Sequence, residues 1–184
     1  MSSPSPEHPA GRPIRKIARL ALLVVGRMLS GRVVVRGTSM LPGLSDGQIL
    51  AVDWLAYALS EPARGDVVVL RETGEGGERR LKRVIGLPGE RVRTAEGRVW
   101  IDGLELKEPY MGDRPRISGI EEGEWSVGDG EAFVLGDNRL SSTDSRTYGP
   151  VAMGRIEGRA WLRYRPLGFL GGAGWRGEPT PGRS

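Results

Sequence analysis

Lysine is scarce in this chain: of its 27 basic residues only Lys16, Lys82 and Lys107 are not arginine. Lys82 stands inside an apolar, strand-like run, Arg79-Arg80-Leu81-Lys82-Arg83-Val84-Ile85-Gly86-Leu87-Pro88-Gly89-Glu90. An amine there can do what a guanidinium cannot. Burial depresses a lysine pKa until the neutral amine can accept a proton, whereas arginine keeps its charge in any protein setting. The bland alternative, a solvated edge-strand lysine, describes most lysines. Two loops elsewhere in the chain draw notice. Ser39 lies in Gly37-Thr38-Ser39-Met40-Leu41-Pro42-Gly43-Leu44, a Gly- and Pro-flanked turn that can expose a side chain at a rim. By itself a serine in a turn signals little, because turns favour serine anyway. The second loop, Gly136 to Arg146, holds Asp137, Asn138, Ser141, Ser142, Asp144 and Ser145. No core needs such a collection of hydroxyls, amides and charges.

The rest of the composition narrows the chemistry. There is no cysteine, which removes thiol nucleophiles, disulfides and Cys-ligated zinc. The single histidine, His8, sits in Ser-Pro-Ser-Pro-Glu-His-Pro, too polar and Pro-rich to hold a fixed geometry. A Ser-His-Asp triad and the common histidine metal sites go with it. A covalent mechanism must therefore use Ser, Thr, Lys or a carboxylate as nucleophile, with Lys or a carboxylate as base. No metal or cofactor is expected. The net charge of +4 is weak evidence for a nucleic-acid partner: 23 acidic residues are interspersed with the arginines, and no basic block with interleaved aromatics occurs.

The elements that must position these residues are mostly strands. With 29 glycines and 13 prolines in 184 residues, the chain is expected to be a mainly β domain with tails rather than a helix bundle. Residues 1–13 read as a disordered tail and 171–184 as a flexible one, with a β-rich domain over 32–170. Strands are expected near Val33–Arg36, Gln48–Val52, Val67–Leu70, around Lys82, Arg91–Thr94, Arg98–Ile101, Leu104–Leu106, Glu131–Leu135 and within Ile156–Arg165. Leu70 and Lys82 fit the two arms of a hairpin, and Asp102-Gly103 a tight turn. Lys107 to Asp129 reads as a surface excursion. Over 14–31 the pattern is helical. Winding it at about 100° per residue gathers Arg12, Arg15, Lys16, Arg19, Arg27 and Ser30 into a sector of roughly 120°. The uninterrupted apolar run, Leu20 to Gly26, is far short of the ~20 residues a spanning helix needs. An amphipathic helix in the membrane interface, a short signal-anchor with snorkelling arginines, and a helix packed on its own domain all fit. A cleaved signal peptide does not, since no small-x-small site follows the run.

Taken together, these segments resemble the motifs of the bacterial type I signal peptidases (leader peptidases). The family's Ser-Met-x-Pro-Thr-Leu appears as Ser39-Met40-Leu41-Pro42-Gly43-Leu44, and its Arg-Gly-Asp-Val-Val as Arg64-Gly65-Asp66-Val67-Val68. Lys-Arg-Val-Ile-Gly-Leu-Pro-Gly-Glu runs unaltered from Lys82 to Glu90, and Gly-Asp-Asn-x-x-x-Ser-x-Asp-Ser-Arg-x-x-Gly matches Gly136 to Gly149. The similarity covers roughly residues 14 to 165. Two departures stand out: Gly43 replaces the usual Thr, and Gly37 sits where some members carry an oxyanion-binding Ser.

The resemblance implies a β-sheet-rich catalytic domain behind an N-terminal membrane helix, and an endopeptidase that removes signal peptides from exported preproteins. Ser39 would be the nucleophile and Lys82 its base, with Ser142 orienting the amine and Asp144 and Arg146 as a supporting pair beside Asp137 and Asn138. The Ser39 N–H would bind the oxyanion, with the Thr38 hydroxyl in the missing donor's place. Val35, Met40 and Leu81 would contact a substrate whose residues before the scissile bond are small. The N-terminus would be cytoplasmic and the domain extracytoplasmic, in contact with membrane lipid and preproteins, as a monomer without nucleic acid. Two rivals are an inactive homologous β-domain that binds peptides, and a LexA-like self-cleaving protein. The second needs a DNA-binding helix-turn-helix, for which residues 1–36 are too short and too apolar.

Overall fold

The computed structural model describes residues 31–72, 77–111, 122–164, 166–170 and the backbone of 179–180. Among these residues the chain is mainly β. A large sheet is built from β1 (Gly31–Val34), β2 (Ile49–Asp53), β3 (Val67–Arg71), β4 (Arg79–Gly86), β9 (Glu131–Leu135), β10 (Val151–Ala152), β11 (Ile156–Tyr164) and β12 (Leu167–Phe169). Its order is β1-β2-β11-β3-β4-β9-β10, with β12 on β11. A smaller sheet joins β5 (Arg91–Ala95), β6 (Arg98–Ile101), β7 (Leu104–Leu106), β8 (Gly123–Ser126) and β13 (Pro179–Thr180), in the order β13-β7-β6-β5-β8. Every strand pair is antiparallel.

Period-two alternation sorts the core. Val67 and Val69 of β3 join Leu50, Val52 and Leu81 in one apolar cluster, while Val68 and Leu70 join Val84, Val134 and Ile156 in another. Both faces of β3 are therefore covered, which is why it reads as an unbroken β-branched run. A third cluster, with Ile85, Val92, Val99, Ile101, Phe133 and Leu135, cements the small sheet onto the large one. Two tight turns shape the small sheet. Glu96-Gly97 and Asp102-Gly103 all have positive φ, as a two-residue type I′ hairpin turn requires.

The expected hairpin around Lys82 is present, with Leu70 opposite Arg80 and Val68 opposite Lys82. Strand β8 falls inside the stretch read as a plain surface excursion; its Gly-Glu-Trp-Ser sequence carries no apolar alternation that would reveal it. The helix expected over 14–31 lies outside the described residues, except Gly31, which opens β1. Among the described residues no helix is long and apolar enough to cross a membrane.

The contact between the sheets is tight at Gly86, where a Cβ would sit 2.5 Å from Val92 Cγ2 and 2.9 Å from Phe133 Cβ. Gly86→Ala should destabilise the domain by about 1–3 kcal/mol, as overpacked cores do. Urea denaturation followed by tryptophan fluorescence would measure it.

Candidate active site

Lys82 occupies the middle of β4 and is 1% exposed. It shares a sheet face with Val84 and lies opposite Val68, so its apolar surroundings are those residues. Leu81 and Ile85 point to the other face because a strand alternates, and each joins a different apolar cluster. Arg83 turns away with them. Arg80 stays on the Lys82 face at its solvated end, where it pairs with Glu72 at 2.7 Å. The Lys82 amine donates to the Ser142 hydroxyl at 2.7 Å. Burial pushes the Lys82 pKa below its ordinary value; Asp144 opposes this and Arg80 adds to it.

Ser142 is held by a loop with little freedom. Asp144, fully buried, accepts from Arg146 Nε at 2.8 Å, from Arg146 Nη2 at 2.9 Å and from the Gly136 N–H at 3.0 Å. It also caps the single helical turn Ser145–Tyr148 by accepting from the Arg146 N–H. Arg146 in turn donates to the carbonyls of Arg139 and Ser142. Gly136 must be glycine here, since a Cβ would come within 2.2 Å of Ser142 Oγ and 2.6 Å of the Ser39 carbonyl oxygen.

The same loop grips the Ser39 turn. The Asn138 N–H donates to the Ser39 carbonyl at 2.9 Å, and its side-chain amide to the Thr38 carbonyl at 3.1 Å. Asp137, fully buried, receives two bonds from Arg83, Nε to Oδ1 at 2.8 Å and Nη2 to Oδ2 at 2.7 Å. Residues either side of Lys82 and of Gly136 thus bind Ser39, Ser142 and the amine into one assembly. The Ser39 hydroxyl and its backbone N–H make no hydrogen bond among the described residues. Gly37 has φ +80°, and its N–H donates to Asp46. The Thr38 hydroxyl lies 3.5 Å from that of Ser141, at the outer limit of a hydrogen bond. At Gly43 the space a side chain would take holds the Asp137 carboxylate, 2.5 Å from where the Cβ would be.

A cleft of about 440 Å³ opens beside Ser39, with Val33, Val34, Val35 and Arg36 on one wall and Glu78, Arg79, Arg80 and Leu81 on the other. Val35, Met40 and Leu81, expected to meet substrate, all line it. The walls come from strands far apart in the sheet order, so the sheet curls to bring them together. One network escaped the sequence reading. Arg139 is bonded to Glu108, and Arg83 lies 3.9 Å over the Tyr110 ring, which pins the start of the excursion against the site. Nothing in Glu108-Pro109-Tyr110 announces that contact, because its partners are distant in sequence.

Comparison with known proteins agrees with the motifs. The family model described as "Signal peptidase, peptidase S26" matches residues 14–165. Signal peptidase I of Bacillus caldolyticus is 40% identical over 147 residues, covering 73% of this chain and 79% of that protein. Signal peptidase I of Leptolyngbya laminosa is 35% identical over 182 residues, covering 94% and 88%. The crystal structure of a signal peptidase I from Enterococcus faecalis is 32% identical, covers 54% of this chain and 97% of that one, and superposes with a TM-score of 0.48. The family model and the two curated relatives make the protein a peptidase. The chain belongs to the signal peptidase family, peptidase S26.

Asp144 should be indispensable to the assembly. Asp144→Ala leaves the Arg146 guanidinium buried without its counter-ion, and should destabilise the domain by about 3–5 kcal/mol. Arg146→Met in the same background should restore part of that loss in urea denaturation, which a simple loss of packing at Asp144 would not allow.

Proposed function

We propose that this peptidase is a serine endopeptidase that removes signal peptides from exported preproteins, with Ser39 as nucleophile and Lys82 as general base. The observation that carries the reading is the Lys82 amine, buried in the sheet, pushed towards neutrality by that burial and oriented by Ser142 at 2.7 Å. A neutral amine so placed can take the Ser39 proton as the hydroxyl attacks the scissile carbonyl. The resulting ammonium returns a proton to the leaving amine, and water then releases the acyl group by the same route. The unengaged Ser39 N–H, assisted by the Thr38 hydroxyl, binds the oxyanion. Asp144 and Arg146 hold Ser142, and Asp137 and Asn138 hold the Ser39 turn. Catalytic hydrogen bonds often close only when substrate excludes water, which accounts for a Ser39 hydroxyl without a partner in the free protein.

The substrate lies in the cleft as an added strand. Residues Arg79 to Lys82 of β4 pair with β3 along one edge, while β9 begins its pairing only opposite Arg83. The free edge faces the Val33–Arg36 wall, and an extended peptide fits between them by strand addition. Val35, Met40 and Leu81 form an apolar floor suited to small side chains.

Contact with membrane lipid has support in the surface. Val34 lies opposite Ile49 and Tyr164 opposite Leu167, with Phe169 two residues on, and Ile49 and Tyr164 each adjoin the last pair of β2 with β11, Leu50 and Arg163. Leu167 is 76% exposed and Phe169 74%, an apolar patch at the end of the sheet from which the chain runs into the Ser39 turn. Residues 14–30 would add a short signal-anchor whose end arginines snorkel, with the N-terminus cytoplasmic and the domain outside. The oligomeric state we take to be a monomer.

Purified full-length protein should cut a model preprotein, and Ser39→Ala should abolish the cut. Lys82→Arg keeps the charge but cannot deprotonate, so it should be as inactive as Lys82→Ala while still folded by circular dichroism. Because the Lys82 pKa is lowered, the base is protonated and idle at low pH, and kcat/KM should rise with pH through that depressed value. An active Lys82→Arg protein, or a rate that falls over that range, would dismiss the base assignment. For the membrane, the full chain should sediment with anionic vesicles, and Leu167→Glu with Phe169→Glu should weaken binding. Full-length protein found entirely in the soluble fraction after gentle lysis would sink that part.

A further inference from the structure

We infer that Arg36 selects substrates carrying a carboxylate at the second residue before the scissile bond. The inference rests on the reading of the cleft as a peptide site and adds to it a charge preference at one position. An extended peptide alternates its side chains. If the residue just before the scissile bond faces the apolar floor of Val35, Met40 and Leu81, the third does so too, and the second faces the opposite way. On the Val33–Arg36 wall that opposite direction belongs to Val34 and Arg36: Val35 is buried and its neighbours on either side are exposed, and of the two only Arg36 is charged.

The cleft's charges single out the same residue. Three arginines and one glutamate line it. Arg79 is bonded to Glu157 at 2.5 Å and lies over the Trp54 ring at 5.2 Å. Arg80 is paired with Glu72 at 2.7 Å and with Glu78 at 3.3 Å, which also occupies the lining glutamate. Arg36 has no hydrogen bond, ion pair or ring contact among the described residues. A matched ion pair gains little from a further charge, whereas an unmatched guanidinium in a cleft wall offers a planar fork to a carboxylate. A bound peptide also displaces water from the cleft, which strengthens the contact over that of a fully solvated pair. A lysine at the same position would meet only repulsion.

The test uses the purified full chain and three peptides that differ only at the second residue before the cut, which is Glu, Gln or Lys. The expected order of kcat/KM is Glu over Gln over Lys, with Glu ahead of Lys about five- to ten-fold at low salt, as for one partly exposed ion pair attracted in one peptide and repelled in the other. The ratio should shrink in high salt. Arg36→Gln should bring Glu and Lys within about two-fold, and Arg36→Glu should invert the order. Circular dichroism should show both variants folded, since Arg36 is exposed and bonds to nothing among the described residues. Equal rates for the three peptides with wild-type protein, or an unaltered Glu-to-Lys ratio in Arg36→Gln, would overturn the inference while leaving the cleft reading intact. Cleavage that survives Ser39→Ala would remove the cleft reading itself, and this inference with it.

Discussion

An amine between Val68 and Val84 has given up most of its hydration, and the Ser142 hydroxyl at 2.7 Å is the side chain that partly replaces it. This exchange is the constraint on which the rest of the site depends. Without the hydroxyl the amine would be a buried donor with no protein partner, a costly state. Without the burial it would remain an ordinary ammonium. The proposed base role requires both at once: enough desolvation to yield a neutral amine, and one polar contact to aim it.

Two buried ion pairs keep that contact in place, and both are bidentate. Asp144 with Arg146 fixes the backbone that carries Ser142, and Arg83 with Asp137 ties the loop to the strand that carries Lys82. Such pairs often add little net stability, because desolvating both charges offsets their attraction. Their value here is geometric. A guanidinium fork accepts one orientation of a carboxylate, so the strand and the loop cannot slide past each other. Asn138 extends the same grip to Ser39 by holding two consecutive carbonyls of its turn. Apolar replacements can match the stability of such pairs, but they would not hold three segments in register.

The cleft divides its work between its two sides. Its floor is apolar and built from residues that also belong to the core, a lining suited to discrimination by size. Its rim is charged, and most of that charge is already matched within the protein. Among the described residues, Arg36 is the lining cation left without a partner. The matching also keeps the Lys82 neighbourhood from gathering net positive charge, since Arg80 is balanced by Glu72 and Glu78.

Much of this protein was legible in its sequence. The absence of cysteine and the lone His8 confined the chemistry to hydroxyl, amine and carboxylate, and one lysine in an arginine-rich chain pointed to the amine. Period-two alternation and the Asp102-Gly103 turn located most of the strands, because both are local effects of backbone geometry. The motif from Gly136 to Gly149 carried Ser142, Asp144 and Arg146 into view before any contact was known. What the sequence could not determine was which face of β4 holds the amine's neighbours, since alternation sets opposite faces without saying what covers each. Nor could it show that Gly136 is glycine to clear Ser142 and the Ser39 carbonyl, or that Glu108 and Tyr110 brace the site from a stretch with no pattern. Those facts arise from segments brought together across 30 to 100 residues, where packing alone decides who meets whom. The free guanidinium of Arg36 is of the same kind: any arginine looks alike in a sequence, and only the fold shows which ones have found a partner.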